Sequence, residues 1–398
     1  MNVFFYIPAL TREYGGIYQY TLGLLSSLSK GKCNYYIFCL NPDNELKELV
    51  GNSSNLHFIE KSLTQRNRWR SFQYRLVCFL NNISLKFFNK KISDKDFLYD
   101  LIFEKYKINI SHCPYTLFFK YKQVPNISTL HDVQELHFPA FFTSEQRASR
   151  AVNNKYIIDN SDAIIVSYAH IKNDIVKLFN KAEKQVYVCL IDMKNLWFEK
   201  FIGKKLKETD IKLPSNFLFF PAVMWQHKNH INLLKSIAWL RDNKKIEANI
   251  IFTGDDKIPF AKNVHELINE LKLQEQVTTL GIVSDETLYL LYQKCKAVVV
   301  PTLYEAGSFP LMEAILMGKN VICSNVTSLP ETIGDNKYVF DPTDVIDMAQ
   351  KIEKIYLDET YQKENLIQIK KQQDRLKNTG VTQKVEEIYA SLSMNYKN

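Results

Sequence analysis

Two kinds of pattern alternate along this chain. Short runs rich in β-branched and aromatic residues at 2–8, 35–40, 56–60, 108–114, 124–132, 163–168 and 186–191 predict strands. A Gly15-Gly16 turn opens a stretch with apolar positions at helical spacing over 17–30, and a second such stretch covers 169–179. The other half is more regular. Strand-like runs at 217–224, 248–256, 277–283, 297–305 and 321–325 alternate with helical patterns at 230–242, 264–273, 285–295 and 310–317. From Asp344 onward the tail is helical in pattern and densely charged. Strands separated by helices imply parallel βαβ units with right-handed crossovers. The strand runs are apolar throughout rather than alternating, which suits strands covered on both faces.

Residues 192–215 break the rhythm with Lys, Glu, Gly203 and Pro214, and read as a linker. The expected organisation is one Rossmann-like domain over 1–200, a second over 201–378, and a final helix over 379–398 packing back on the first. The fold class is therefore α/β: two doubly wound parallel-sheet domains facing each other across a cleft. Ligands of such sheets bind beyond the carboxyl ends of the strands, and the polar clusters of this chain fall there.

Composition narrows the classes. At 398 residues the chain is long enough for two domains with cores of their own. Its formal net charge of +8 is compatible with anionic substrates, a membrane surface or nucleic acid, and selects none of them. Seven scattered cysteines (Cys33, Cys39, Cys78, Cys113, Cys189, Cys295 and Cys323) form no C-x-x-C pair, and most sit in apolar runs as small buried hydrophobes. That argues against a zinc site or disulfide framework and for a reducing, cytoplasmic setting. Met1 leads straight into an apolar strand without a basic n-region, and no apolar run approaches the ~20 residues of a membrane span. The stretch 61–95 stands apart, with Arg66, Arg68, Arg70, Lys90 and Lys91 set among Trp69, Phe72, Phe87 and Phe88. A basic amphipathic helix of this kind is a candidate for peripheral contact with an anionic membrane face; the alternative is a surface helix packed on its own domain.

The most informative segment is PTLYEAGSFPLMEAILMGKNVICSN, from Pro301 to Asn325. A buried strand ends at Glu305, a loop of small residues (Ala306, Gly307, Ser308) follows, and Pro310 suits the first turn of a helix that carries Glu313. Free backbone N–H groups at such a helix start favour a diphosphate. Two carboxylates beside an anion site make sense if they accept hydrogen bonds from hydroxyls, as on a ribose and a sugar ring. Acidic residues that merely complement the helix dipole are the competing explanation.

Glu305 and Glu313 also form an E-x7-E pattern, and here the chain resembles the retaining glycosyltransferases of family 4, the group 1 glycosyltransferases with the GT-B fold. Segments 280–295, 321–335 and 338–342 resemble the family's sequence on either side of that motif. PAVMWQHKNH (221–230) is similar to the HKNH version of its phosphate-binding strand end, found in surface-polysaccharide transferases. EYGGIYQYTLGLL (13–25), STLHDVQELHFPAFF (128–142) and SDAIIVSYAHIKNDI (161–175) are similar to its Gly-Gly loop, its His-Asp segment and its last N-terminal strand and helix. The resemblance covers nearly the whole chain and is weakest over 41–106 and in the linker.

The resemblance implies a role for each matching residue. Glu313 would accept from the ribose, and Glu305 would hold a hydroxyl of the transferred sugar. Lys228 would neutralise the diphosphate leaving group. Amides of Gly307, Ser308, Phe309, Pro310 and Leu311 would surround the sugar and diphosphate, although Pro310 itself can offer no N–H. Gly15 and Gly16 would let the opposite backbone approach the donor. His131 and Asp132 would line the acceptor side. Two departures stand out: Val223 holds a position that is often basic, leaving Lys228, helix dipoles or Arg12 for the phosphates, and E-A-G-S replaces the usual E-G-F-G. The implied reaction is transfer of a hexose, mannose or rhamnose, from a GDP-, UDP- or dTDP-linked donor to a glycan or lipid-linked saccharide. It would need no cofactor or metal. His227 and His230 read as helix-capping or surface residues, His112 as packed or cleft-lining, and Asp255-Asp256 as a turn. A nucleotide-sugar epimerase of the same fold and a basic nucleic-acid-binding protein are the rivals; the second gives no reason for the Glu305/Glu313 loop, so no nucleic acid is expected.

Overall fold

The computed structural model describes residues 1–8, 10, 15–60, 63, 97–114, 118–193, 197–204 and 212–396. Arg12, and the basic stretch 61–95 but for Leu63, lie outside them.

The first domain is a seven-stranded sheet of β1 (Asn2–Tyr6), β2 (Asn34–Phe38), β3 (Leu56–Phe58), β4 (Ile110–Cys113), β5 (Asn126–Thr129), β6 (Ala163–Val166) and β7 (Val186–Val188), in the spatial order β3-β2-β1-β4-β5-β6-β7. The second is a six-stranded sheet of β8 (Leu218–Pro221), β9 (Ile250–Thr253), β10 (Val277–Thr279), β11 (Ala297–Val300), β12 (Val321–Ser324) and β13 (Val339–Phe340), in the order β10-β9-β8-β11-β12-β13. All neighbouring strands run parallel, for example Phe4 beside Tyr36 and Val298 beside Val321. The central strands β4, β5, β6, β9, β11 and β12 are buried at every position. This is the burial on two faces that their uninterrupted apolar runs predict. In each sheet the order reverses once, between β1 and β4 and between β8 and β11. Those are the points where the βα turns splay apart and leave a crevice.

The helices, in chain order, are α1 (Gly16–Leu28), α2 (Asn44–Gly51), α3 (Phe97–Tyr106), α4 (Gln134–His137), α5 (Ser144–Asn160), α6 (Ala169–Phe179), α7 (His230–Lys244), α8 (Ala261–Glu270), α9 (Asp285–Lys294), α10 (Phe309–Leu316), α11 (Leu329–Ile333), α12 (Val345–Leu357), α13 (Glu359–Lys377) and α14 (Val381–Asn395). Several starts carry their own caps: Asp43 accepts from the Leu46 N–H, Ser284 from Thr287, and Asp344 from Ile346 and Asp347. The α5 helix was missed by periodicity. Its sequence SEQRASRAVNNKYIIDN buries only Asn154, Ile157 and Ile158, so what marks it is a Thr143/Gln146 capping box rather than an apolar stripe.

The chain crosses between the domains twice. Met193 N–H donates to the Leu376 carbonyl at 2.9 Å, and the Thr379 N–H and hydroxyl donate to Asp192 Oδ1 at 2.7 and 2.6 Å, so the two crossings are bound side by side. Beyond them α14 lies on the first domain, where Glu386 Oε1 accepts from the N–H groups of Lys32 and Cys33 at 2.7 and 2.8 Å. Tyr389, also on α14, bonds His112 Nδ1 at 2.6 Å through its hydroxyl.

Candidate active site between the two domains

At the reversal of the second sheet, the turns after β8 and β11 are stitched together. The His227 carbonyl accepts from Leu303 N–H at 2.8 Å and from the Thr302 hydroxyl at 2.9 Å. Asn229 takes a left-handed conformation (φ 62°, ψ 34°), and its amide donates to the carbonyls of Pro301 and Pro342, both at 2.8 Å. Asn is among the few residues that adopt this conformation readily, so Asn229 both makes the turn and anchors it. Lys228 is thereby carried to Glu305, with Nζ 2.5 Å from Oε1 and side-chain exposures of 16% and 10%. Thr327 and Ser328 hold the Glu305 backbone from the next turn, through bonds of 3.2 and 3.3 Å.

Helix α10 starts from Ser308 in extended conformation with Pro310 in its first turn. Ser308 Oγ is buried without a hydrogen-bond partner among the described residues. Glu313 is buried inside the helix's first turns and held on both oxygens: Trp197 Nε1–H donates to Oε1 at 2.7 Å and Tyr292 O–H to Oε2 at 2.8 Å. Burial pushes its carboxyl up to about 7, opposed by those two donors and assisted by Asp285. The sequence reading missed Trp197, Tyr292 and Asn229. Trp197 lies in the stretch read as a plain linker; a large aromatic amid Lys and Glu was the only signal.

The first domain meets this surface directly. Gly15 has φ 51°, and a Cβ on Gly16 would lie 3.3 Å from Phe309 Cε2, so the start of α1 stands against the start of α10. Tyr168, at the end of β6, sits over Gly307, where a Cβ would be 2.9 Å from its ring. The Tyr168 hydroxyl lies 3.3 Å from Thr332 Oγ1 and 3.5 Å from Met312 Sδ. His131 is packed edge-on against Tyr20 with ring centres 4.7 Å apart, and its Nε2 lies 3.3 Å from the Pro114 carbonyl. Burial holds the imidazole below its ordinary value, outweighing the pull of Asp132. Asp132 is bridged by Arg150, which also donates to Glu135 Oε2 at 2.8 Å. Arg150 is a further residue that the sequence reading missed.

Two cavities adjoin these residues. A pocket of about 200 Å³ is walled by Gly16, His131, Asp132, Tyr168, Gly307 and Phe309. It gathers five of the expected residues; the Lys228–Glu305 pair and Glu313 are not in its wall. A larger cavity of about 740 Å³ begins at Gly15, Phe309 and Trp197 and runs along α1 and α2. Pro310 is partly exposed and Leu311 buried in α10.

One other expectation needs correcting. His230 is neither a cap nor a surface residue: it is fully buried between Phe220 and Phe252, with ring centres 4.8 and 5.0 Å away. At the start of α7 its ring faces the sheet and serves as a flat apolar surface; burial lowers it to about 3. His112 is packed rather than cleft-lining, bonded by Tyr389 and, through Nε2, Thr129 at 3.1 Å. Asp255 does form a turn, accepting from Lys257 N–H at 2.9 Å. Among the described residues, no group of three His, Cys, Asp or Glu is arranged to hold a metal, and no helix is long and apolar enough to cross a membrane.

Residues 202–374, which include Lys228, Glu305 and Glu313, match the family model of glycosyl transferases group 1. Over this part, the chain resembles the group 1 glycosyltransferases. A curated relative, the O-antigen chain mannosyltransferase B of Escherichia coli, is 24% identical over 246 residues, or 60% of this chain and 63% of that one. The serotype-specific mannosyltransferase WbdA of Escherichia coli is 38% identical over 153 residues, 38% of this chain and 19% of its own. The chain thus spans less than two thirds of each of these relatives. Anabaena HepE, solved with UDP and glucose, superposes with a TM-score of 0.66 at 14% identity, covering 98% of this chain and 100% of that one. That likeness establishes the fold: GT-B, two facing doubly wound domains.

Proposed function

We propose that this glycosyltransferase moves a mannosyl group from a nucleotide diphosphate donor to a glycan or lipid-linked saccharide, with retention of anomeric configuration and without a metal. The observation that carries the reading is the meeting of Lys228 and Glu305 at the reversal of the second sheet, where ligands of such sheets bind. The mannosyl assignment draws on the names of the two Escherichia coli relatives. A nucleoside diphosphate is favoured by the UDP held in HepE.

In this reading Glu313 accepts from the ribose hydroxyls and Lys228 faces the diphosphate, whose charge grows as the sugar's C1–O bond breaks. Glu305 accepts from a hydroxyl of the transferred sugar. The start of α10, from Gly307 to Leu311, gives backbone amides and a positive dipole end to the same region, and Gly15 and Gly16 approach from the other side. His131 and Asp132 border the acceptor. The acceptor oxygen bonds to C1 on the face the diphosphate leaves, and its proton passes to the departing phosphate. No protein nucleophile takes part. Contact between the domains at Tyr168 and Gly307 excludes water from the centre. The proposed setting is the cytoplasmic side of a membrane, with the stretch 61–95 as the contact; flotation with anionic vesicles that is unchanged on deleting that stretch would remove this part.

The deciding test is a thermal-shift screen of the whole chain against GDP-, UDP- and dTDP-sugars, with and without EDTA. Stabilisation by one donor class, indifferent to EDTA and absent in Glu313→Ala, is expected. No shift with any nucleotide sugar overturns the donor site.

A further inference from the structure

We infer that Trp197, carried by the segment joining the two domains, is a positioning residue that holds the nucleotide-binding carboxylate of Glu313. The inference rests on the proposed role of Glu313 and adds what orients it. A carboxylate that must accept from two vicinal hydroxyls needs a fixed plane, and two donors on its two oxygens supply that. One, Tyr292, belongs to α9 of the same domain. The other, Trp197, lies between β7 and β8, on neither sheet. Its indole is itself held, packed edge-on against the buried Phe198 with ring centres 5.6 Å apart at 88°. Upstream, the same segment is tied at Met193 and Asp192 to the second crossing. Trp197 also borders the 740 Å³ cavity, together with Gly15 and Phe309. Trp197 therefore stands where the domain crossing, the carboxylate and the cleft meet, and a nucleotide seated on Glu313 changes its surroundings.

The groups facing Glu313 are the Trp197 N–H, the Tyr292 hydroxyl and the charge of Asp285, which Lys200 bridges at 2.7 Å. Both donors favour the ionised carboxyl. Removing the indole N–H while keeping a ring leaves packing largely in place and takes away one charge-assisted bond, an effect of about tenfold in affinity.

The test is titration of the full chain with UDP and GDP by calorimetry across pH 6 to 9, using wild type, Trp197→Phe and Glu313→Ala. Trp197→Phe is expected to bind about tenfold more weakly, with the midpoint of its pH dependence moved upward and kcat at saturating donor unchanged. A purely structural loss would lower the melting temperature and kcat without moving that midpoint. Wild-type affinity and midpoint in Trp197→Phe, with Glu313→Ala impaired, overturns this inference alone. Wild-type affinity in Glu313→Ala overturns the donor-site reading beneath it. A chain with Trp69, Trp225 and Trp239 replaced by Phe provides a measurement independent of that variant's folding: its single indole is expected to change emission on nucleotide addition, and constant emission overturns the inference.

Discussion

Lys228 and Glu305, 77 positions apart in sequence, pair at 2.5 Å because β8 and β11 are neighbours in the second sheet and their following turns share hydrogen bonds. Within the pair, each charge is compensated by the other. Under the proposed function, a diphosphate entering beside Lys228 competes with Glu305 for the ammonium, and a sugar hydroxyl then offers Glu305 a replacement.

Breaking this pair tests that coupling. Removing one partner of a largely buried pair leaves an uncompensated charge, a cost of about 3 kcal/mol. Lys228→Ala and Glu305→Ala are each expected to lower the melting temperature and to cut turnover at least about tenfold, equivalent to ~1.4 kcal/mol of barrier. The double variant should melt higher than the sum of the single losses implies. Additive melting shifts, or wild-type turnover in both single variants, would count against the pairing having this role.

Glu313 makes a prediction about pH. Burial raises its carboxyl from 4.5 to about 7, so the folded chain binds a proton more readily than the unfolded one between those values. The stability this group contributes is present below about 4.5 and is lost as pH rises toward about 7. Under the proposed function donor binding runs the other way, because ribose hydroxyls need an accepting carboxylate. Donor affinity should therefore improve as pH climbs through about 7, and Glu313→Gln should flatten both profiles. Calorimetric titration and melting curves across that range check each sign.

The fold was legible because buried parallel strands leave an unmistakable pattern: AIIV, IIFT, AVVV and VICS are apolar at every position and buried at every position. The Glu305 loop was legible through local chemistry, a strand end, small residues and Pro310 in one short stretch. What periodicity could not show were partners brought in from afar. Trp197 looks like an aromatic in a charged linker, Arg150 like a surface charge on a weakly amphipathic helix, and Asn229 like one more polar residue before α7. Each acts through a contact set by topology, which the local pattern does not encode. His230 was misjudged for the related reason that a polar residue name does not reveal which way the first turn of a helix faces.

The contact of Tyr168 with Gly307 predicts a rescue. A methyl added at Gly307 would sit 2.9 Å from the Tyr168 ring, closer than real contacts allow. Overpacking of this kind costs about 1–3 kcal/mol, here paid by the joined arrangement of the domains. Gly307→Ala should lower kcat by about tenfold or more, and adding Tyr168→Leu should recover much of the loss by clearing the space. If Gly307→Ala keeps full activity, the two domains do not need this contact during turnover.

The last helix gives a prediction about what unites the domains. Glu386 Oε1 accepts from the N–H groups of Lys32 and Cys33 and from the Tyr35 hydroxyl at 3.1 Å, while Thr382 donates to the Ser27 carbonyl at 2.9 Å. A Cβ at Gly31 would meet the same carboxylate at 2.3 Å, so a side chain there would have to displace it. Glu386→Ala leaves two backbone donors without their acceptor, a cost of about 1–3 kcal/mol, and should lower the melting temperature by several degrees. Its neighbour Glu387, on the exposed face where it accepts from Gln383 at 2.8 Å, is the control, and Glu387→Ala should melt as wild type. Ending the chain after Thr379 should be far more damaging. It strips the buried Val385, Ile388 and Tyr389 from the first domain and leaves His112 Nδ1 without the Tyr389 hydroxyl. A truncated chain that melts like wild type would mean that α14 rests on the first domain without holding it, and that the two bound crossings alone keep the cleft together.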